Sequence, residues 1–336
     1  MLAATWNADR TLAVADLPEP EPGPGETLIR VEACGICGTD LHFFRGELPP
    51  RPGLVPGHEF AGTVVSGGRF AAGTPVAVEP IEVCGACSQC QSGNPQRCAK
   101  LQFLGLGLPG GLQQMVAVPS GSVYALPDGI DPVHGSLAEP LAVAVRGVHL
   151  AELPLGARVL VLGGGTIGLM ATMLLRDIAS EVAVTARYAQ QGALALRLGA
   201  SAVFEPGSSD LHDWARQRRP DAVIETVGGA ADTLSEGVMA VRPGGTVVAL
   251  GVFTAPTAIP ALKLVNQEVR LVGSIIYGRQ GDESEFGIAV RRLARYRAEL
   301  PLFQSHTFAL GDVNDAFRTA ANKSSGAVKV TIRPNG

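Results

Sequence analysis

Two hydrophobic rhythms divide the chain. Up to about residue 140 the apolar runs are short and punctuated by glycine and proline: TLIRVEA, FAGTVV, TPVAVEP and MVAVP. Runs of this length between turn formers predict strands, and their density predicts a twisted, barrel-like β domain with functional loops. From about residue 155 the rhythm lengthens. ARVLVLGGG leads into TIGLMATMLLRDI, EVAVTA into QQGALALRLGA, AVFEP into LHDWARQR, and DAVIETVG into a helix near 230 to 240, followed by GTVVALG and VRLVGSII. Continuous apolar strands alternating with helical patterns predict an α/β fold with a doubly wound parallel sheet. The last stretch, about 280 to 336, holds two amphipathic helical patterns and the strand-like GAVKVTIR. No internal repeat is visible.

The 336 residues suit two domains of ordinary size. With 46% hydrophobic and 17% charged residues, the composition is that of an ordinary globular protein. A net charge of -4 argues against a nucleic-acid surface, which needs a concentrated basic face. The one basic cluster, Arg291, Arg292, Arg295 and Arg297, falls on a helical pattern and reads as a solvated face. No run approaches the ~18 apolar residues of a membrane span, and MLAATWNADRTLAV has no signal-peptide core. A cytoplasmic protein with neither nucleic acid nor membrane as partner is expected. In that compartment six cysteines crowded into residues 34 to 98 point to metal rather than disulfides.

Three motifs carry chemistry. In VLVLGGGTIGLMA, Gly163, Gly165 and Gly168 have GxGxxG spacing between an apolar strand and a helix, the context of a dinucleotide-binding turn. An acid at the end of the next strand would hold the adenosine ribose, but here stand Ala186 and Arg187. A cation without a neighbouring acid favours NADP over NAD, although Arg187 could also lie on the adenine or in solvent. CGACSQCQSGNPQRC supplies Cys84, Cys87, Cys90 and Cys98, four thiols in a loop with little apolar content, which predicts a closed structural zinc site. An iron–sulfur cluster would need the same count at a different spacing.

The third motif, EACGICGTDLH, poses a choice. Cys34 and Cys37 could chelate together, form a redox pair, or divide into one ligand and one packing residue. His58 and Glu59 in VPGHEF and Glu139 in SLAEPLA could complete an open zinc site from separated segments, and His58 could equally be a satisfied core histidine.

With CGICGTDLH, GHEFAG, the four-cysteine lobe and GGGTIG in this order, the chain resembles the zinc-containing medium-chain dehydrogenase/reductase family over nearly its whole length. The resemblance implies a GroES-like β-barrel catalytic domain over 1–140, with its zinc lobe at 84–98. A Rossmann coenzyme domain would follow over 141–278, and the chain would return to the catalytic domain over 279–336. It implies two zinc ions per chain. Cys37 and His58 would hold the catalytic ion with Glu59 or water, Glu139 would stand close by, and Cys34 would be a buried hydrophobe. Glutamate at 139 resembles the polyol and threonine dehydrogenase branch, as does SIIYGRQ. Cofactor contacts would come from Gly163, Gly165, Thr166, Ile167, Gly168, Arg187, Gln191, Val227, Leu250, Gly251, Val252, Ile276 and Tyr277. A homodimer or homotetramer is expected.

The activity so implied is hydride transfer between NAD(P) and a secondary alcohol: a polyol, a sugar or cyclitol, or a threonine-like amino alcohol. Thr39 and His42 match the family's proton relay. Asp40 is expected to structure the loop, while Phe43, Phe44 and Arg45 either line the pocket or pack locally. GGLQQMV departs from an Ala-Glu-aromatic pattern common in relatives. A zinc-independent quinone or enoyl reductase would have lost Cys37 and His58, and a non-catalytic cofactor-binding homologue would have a broken relay. All of these residues are present.

Overall fold

The glycine- and proline-punctuated runs become a seven-stranded sheet. Its order is Gln304–Ala309, Lys329–Arg333, Glu26–Gly35, Glu59–Gly67, Pro75–Val78, Val123–Ala125, with Met115–Pro119 also paired to Glu26–Gly35. In this computed structural model, which describes residues 1–336, the chain folds into two compact units: Met1–Glu139 with Gly278–Gly336, and Pro140–Tyr277.

Glu26–Gly35 organises the first unit because it pairs with three strands: Glu59–Gly67, Met115–Pro119 and the final Lys329–Arg333. Register breaks at Leu28/Ile29 and Val31/Ala33 add local twist and let the sheet curl around its own apolar face. That face packs Ile29, Val31, Phe60, Val64, Val76 and Val118 with Phe317 and Ile332 from the C-terminal segment. Both amphipathic patterns of that segment are helices, Glu285–Arg295 and Val313–Ala321. They bury Phe286, Ala289, Val290 and Leu293 in the first case, and Val313, Ala316, Phe317 and Ala320 in the second. Arg291, Arg292, Arg295 and Arg297 stay on exposed positions, as a solvated face requires.

The second unit is a six-stranded sheet, parallel throughout. Its order is Ala202–Phe204, Glu181–Thr185, Arg158–Leu162, Ala222–Glu225, Thr246–Ala249, Arg270–Gly273. The strand order reverses between Arg158–Leu162 and Ala222–Glu225, the switch point at which such sheets bind ligands beyond their carboxyl ends. No helix of the chain is long and apolar enough to cross a membrane.

At that switch point Gly163 takes φ 110°, and Thr166–Leu175 begins directly afterwards with Gly165 as its N-cap. A Cβ at Gly168 would lie 1.9 Å from the Gly163 carbonyl oxygen, backbone that cannot swing aside. Gly168→Ala is therefore expected to push the helix off the strand and cost ~1–3 kcal/mol. A lowered denaturation midpoint with strand and helix content retained would show it; an unchanged midpoint would mean that the close approach is not constrained.

Candidate active site

The end of Glu26–Gly35 separates the two cysteines of CGIC. Cys34 stands opposite Phe60, is fully buried in the apolar core, and burial pushes its thiol well above the ordinary value. Beyond Ile36 the chain turns, and Cys37 becomes the N-cap of the helix Gly38–Arg45. Its N–H donates to Asp40 Oδ2 at 2.9 Å, closing the first turn and fixing the direction of the Cys37 side chain. Thr39 follows in that turn, its Oγ1 3.8 Å from Cys37 Sγ, and His42 lies one turn further on. Phe43 and Phe44 pack locally: Phe43 lies 6.4 Å from Trp6 and Phe44 5.5 Å from Phe317, centroid to centroid.

The neighbouring strand Glu59–Gly67 starts at the same level, since Glu59 pairs with Gly35. One donor atom each from Cys37, His58 and Glu59 lie within 4.8 Å of one another. His58 is almost fully buried, and its Nδ1 has no hydrogen-bond partner; it faces Asp40 Oδ1, also unpartnered, at 3.8 Å. A histidine placed for packing alone would have satisfied that nitrogen. Glu59 is held by Lys329, whose Nζ donates to its two oxygens at 2.7 and 2.5 Å and to the Ile36 carbonyl at 3.1 Å. Glu139, in the first turn of Ala138–Leu150, lies outside the group of three but feels its charges.

These residues fit a cation. Part of Cys37 reaches solvent, yet burial, together with the Glu59 charge, pushes its thiol up to about 12. Burial pushes Glu139 to about 8, against the pull of His58. A thiol, an imidazole nitrogen without a partner and a carboxylate form the mixed donor set of an open zinc site, and a divalent ion would favour the ionised forms that burial opposes. Lys329 escapes a motif search. Asp40 is read from sequence only as a loop former, and Lys329 stands 270 positions from its partner.

The lobe is a separate and local construction. The Sγ atoms of Cys84, Cys87, Cys90 and Cys98 lie within 4.8 Å of one another, with separations of 3.6 Å for Cys87–Cys90, 4.0 Å for Cys87–Cys98 and 3.5 Å for Cys84–Cys98. All are free thiols. A sulfur tetrahedron around zinc at ~2.3 Å has edges of ~3.8 Å, so four thiolates at these spacings suit that ion. Backbone N–H groups of Cys90 and Ala99 pull the Cys87 thiol down to about 6, while burial and the Cys87 thiol push Cys90 up to about 12.

In the second unit the GxGxxG turn has the geometry a pyrophosphate needs. A Cβ at Gly165 would meet open space, so the backbone there can be approached closely, and Thr166 and Ile167 are the partly buried first residues of the helix. Ala186 is buried against Gly164, where a Cβ would come within 3.2 Å of its own, and Arg187 beside it is exposed. Gln191 is buried below the same glycine. Val227 and Val252 are exposed apolar residues beyond the strand ends, Leu250 and Ile276 are buried, and Tyr277 is fully buried. Gly251 packs on Gly228, leaving no room for a side chain. Glu225 plays a part that its position in the sequence does not announce. Fully buried, it takes hydrogen bonds from the Val227 and Gly228 N–H groups at 2.7 and 2.9 Å and from Thr233 Oγ1 at 2.7 Å, shaping the loop beyond its strand.

Residues 23–128 match the alcohol dehydrogenase GroES-like domain, and residues 166–295 match the zinc-binding dehydrogenase family. L-threonine 3-dehydrogenase of Streptomyces avermitilis is 31% identical over 335 residues, 96% of each chain. The 2-dehydro-3-deoxy-L-galactonate 5-dehydrogenase of Pseudoalteromonas atlantica is 29% identical over 94% of each. Among solved structures, a Sinorhizobium meliloti 1021 protein bound to NADP superposes with a TM-score of 0.91 at 34% identity, covering 99% of both chains. Fold and site together define a zinc-dependent NAD(P) dehydrogenase of alcohols or polyols. The chain belongs to the zinc-containing medium-chain dehydrogenase/reductase family of alcohol dehydrogenases.

Metal analysis separates the two centres. Cys98→Ser is expected to lose one of two zinc ions per chain and lower thermal stability, and Cys37→Ser to lose the other ion with the lobe intact. Two ions retained by Cys37→Ser would overturn the assignment. Lys329→Met leaves Glu59 as a buried, unpaired charge; a cost of ~3–5 kcal/mol is expected, read as a lower denaturation midpoint.

Proposed function

We propose that this chain interconverts a secondary alcohol and its ketone within a polyol, sugar, cyclitol or threonine-like amino alcohol, with NADP preferred to NAD. The observation that carries the reading is the group of Cys37, His58 and Glu59 donor atoms within 4.8 Å, with the Thr39 hydroxyl at its edge. The relatives above are named as dehydrogenases of 2-dehydro-3-deoxy-L-galactonate and of L-threonine, and these names support that substrate class.

Zinc held on Cys37, His58 and a carboxylate would supply a Lewis acid that makes the substrate alcohol more acidic. The remaining tasks fall to the chain. Asp40 closes the helix turn that aims Cys37 and faces the His58 ring. Lys329 keeps the Glu59 carboxylate balanced in a buried setting. Thr39 both accepts and donates through one oxygen, so it can take the alcohol proton and pass it outward. His42, whose side chain is 14% exposed, sits where a proton can be exchanged with water.

The coenzyme preference rests on Ala186 and Arg187. No acidic side chain occupies positions 186 to 191, so nothing there repels a 2'-phosphate, and Arg187 offers it a cation. The Sinorhizobium meliloti protein, solved with NADP, supports this choice.

The deciding experiment is turnover of the zinc-loaded protein on a panel of polyols, sugars, sugar acids, cyclitols and 3-hydroxy amino acids, with NADP and NAD assayed separately. Turnover on at least one class is expected, with kcat/KM about tenfold or more higher for NADP, a margin of ~1.4 kcal/mol. Ala186→Asp is expected to reverse that preference. Absence of turnover on any secondary alcohol or ketone would sink the reaction, and preference for NAD would sink the coenzyme assignment alone. Thr39→Ala is expected to lower kcat by ~100-fold with a smaller effect on KM.

A further inference from the structure

The helix Gly38–Arg45 ends in a turn that folds its own exit back onto His42. Gly46 takes the left-handed conformation, φ 79°, and its N–H bonds to the Phe43 carbonyl at 3.0 Å. The next two N–H groups, of Glu47 and Leu48, reach the His42 carbonyl at 2.9 and 3.2 Å. Arg10 braces the turn from outside: its guanidinium donates to the Arg45 carbonyl at 3.2 Å and fills the space a side chain at 46 would need. With the backbone held this way, the Glu47 carboxylate meets His42 Nδ1 in a short contact. Glu47 Oε1 is also 4.0 Å from Arg45 Nη1. The cations Arg45 and Arg10 also stand at the turn, and the Asp9 carboxylate beside Arg10 senses its charge. Glu47 is the carboxylate in contact with the ring.

The geometry points to Glu47 as a positioning residue for His42: its carboxylate accepts the Nδ1 proton and so fixes the tautomer in which Nε2 carries the lone pair. The inference rests on His42 being the outer end of the proton path proposed above, and it adds how that imidazole is made ready. A neutral imidazole has one donor and one acceptor nitrogen, and the wrong tautomer would present an N–H where a base is needed. During alcohol oxidation Nε2 takes a proton from the inner path and then releases it to water, while the Nδ1 proton stays on the ring against Glu47. In the reverse direction the same nitrogen takes a proton from water and hands it inward. The ring keeps one orientation through both halves, with no flip between turnovers.

The test compares Glu47→Ala, Glu47→Gln, His42→Gln and the double variant His42→Gln/Glu47→Ala in the zinc-loaded enzyme, with a ring-nitrogen spectrum of 15N-histidine-labelled protein. Glu47→Ala is expected to lower kcat about 5- to 20-fold with KM within about twofold. It should also move His42 in the spectrum from the Nδ1–H form toward the Nε2–H form. Glu47→Gln keeps a carbonyl acceptor for Nδ1–H and should recover most of the rate and the original tautomer. The double variant should be no slower than His42→Gln alone. If His42→Gln is impaired but Glu47→Ala leaves kcat and tautomer unchanged, the positioning role is overturned while the proton path stands. Additive losses in the double variant also overturn it. Wild-type rates in His42→Gln would remove the proton path itself, and the role of Glu47 with it.

Discussion

A single buried ion pair, Lys329 with Glu59, is the interaction around which the metal-binding face is assembled. It is made across three adjacent strands. Gly35 lies between Glu59 on one side and Thr331 on the other, and a side chain there would come within 2.3 Å of Glu59 Oε2 and 3.1 Å of Lys329 Cδ. The absent side chain is the space in which the pair forms. Both partners are nearly inaccessible to solvent, and breaking such a pair from one side leaves an uncompensated charge in a poor dielectric. Lys329–Arg333 therefore has to return beside Glu26–Gly35, and the first unit is built from two separated segments of the chain.

The same device recurs on a smaller scale. Asp40, Glu59 and Glu225 are acids that are almost fully buried, and each sits at or beside an element boundary: Asp40 in the first turn of its helix, Glu59 at the start of its strand and Glu225 at the end of its own. Asp40 binds the N–H of Cys37, Glu225 binds the N–H groups of Val227 and Gly228, and Glu59 binds Lys329. Hydrogen bonds to a charged acceptor are stronger than neutral ones, and inside the protein they hold a loop in one shape. Val227 can then be an apolar residue beyond its strand end, because its backbone is placed by the Glu225 carboxylate behind it.

How far the sequence reaches follows from the range of each interaction. The parallel sheet and the glycine turn are encoded locally, by apolar strands and by glycines that no other residue can replace at φ 110° or at a 1.9 Å approach. The lobe is as legible, since four thiols within fifteen residues have few other uses in a loop without a core. EACGICGTDLH is harder to read. The pair resembles a chelating CxxC, yet strand register buries Cys34 against Phe60, and only the helix that starts at Cys37 turns one thiol toward His58. Lys329 cannot be found at all from spacing. Its strand-like segment is visible, but which residue it faces depends on pairing between strands nearly three hundred residues apart.

The two metal-binding sets differ in the same respect, and the difference bears on what each can do. In the lobe the backbone N–H groups of Cys87, Cys84 and Lys100 already point at the sulfurs at 3.3 to 3.4 Å, so the loop organises its thiols from nearby residues with little help from the rest of the fold. A site of that kind is closed by its own chain and leaves no position for a reactant. The set at Cys37, His58 and Glu59 is drawn from a helix start and an adjacent strand, and its third member is already engaged by Lys329. With three residues in this group against four in the lobe, and its carboxylate held from behind, the set would offer an ion fewer donors and would leave a position open for a substrate oxygen. Chemistry belongs at the centre that the whole sheet assembles, and the locally encoded centre is left to hold its loop.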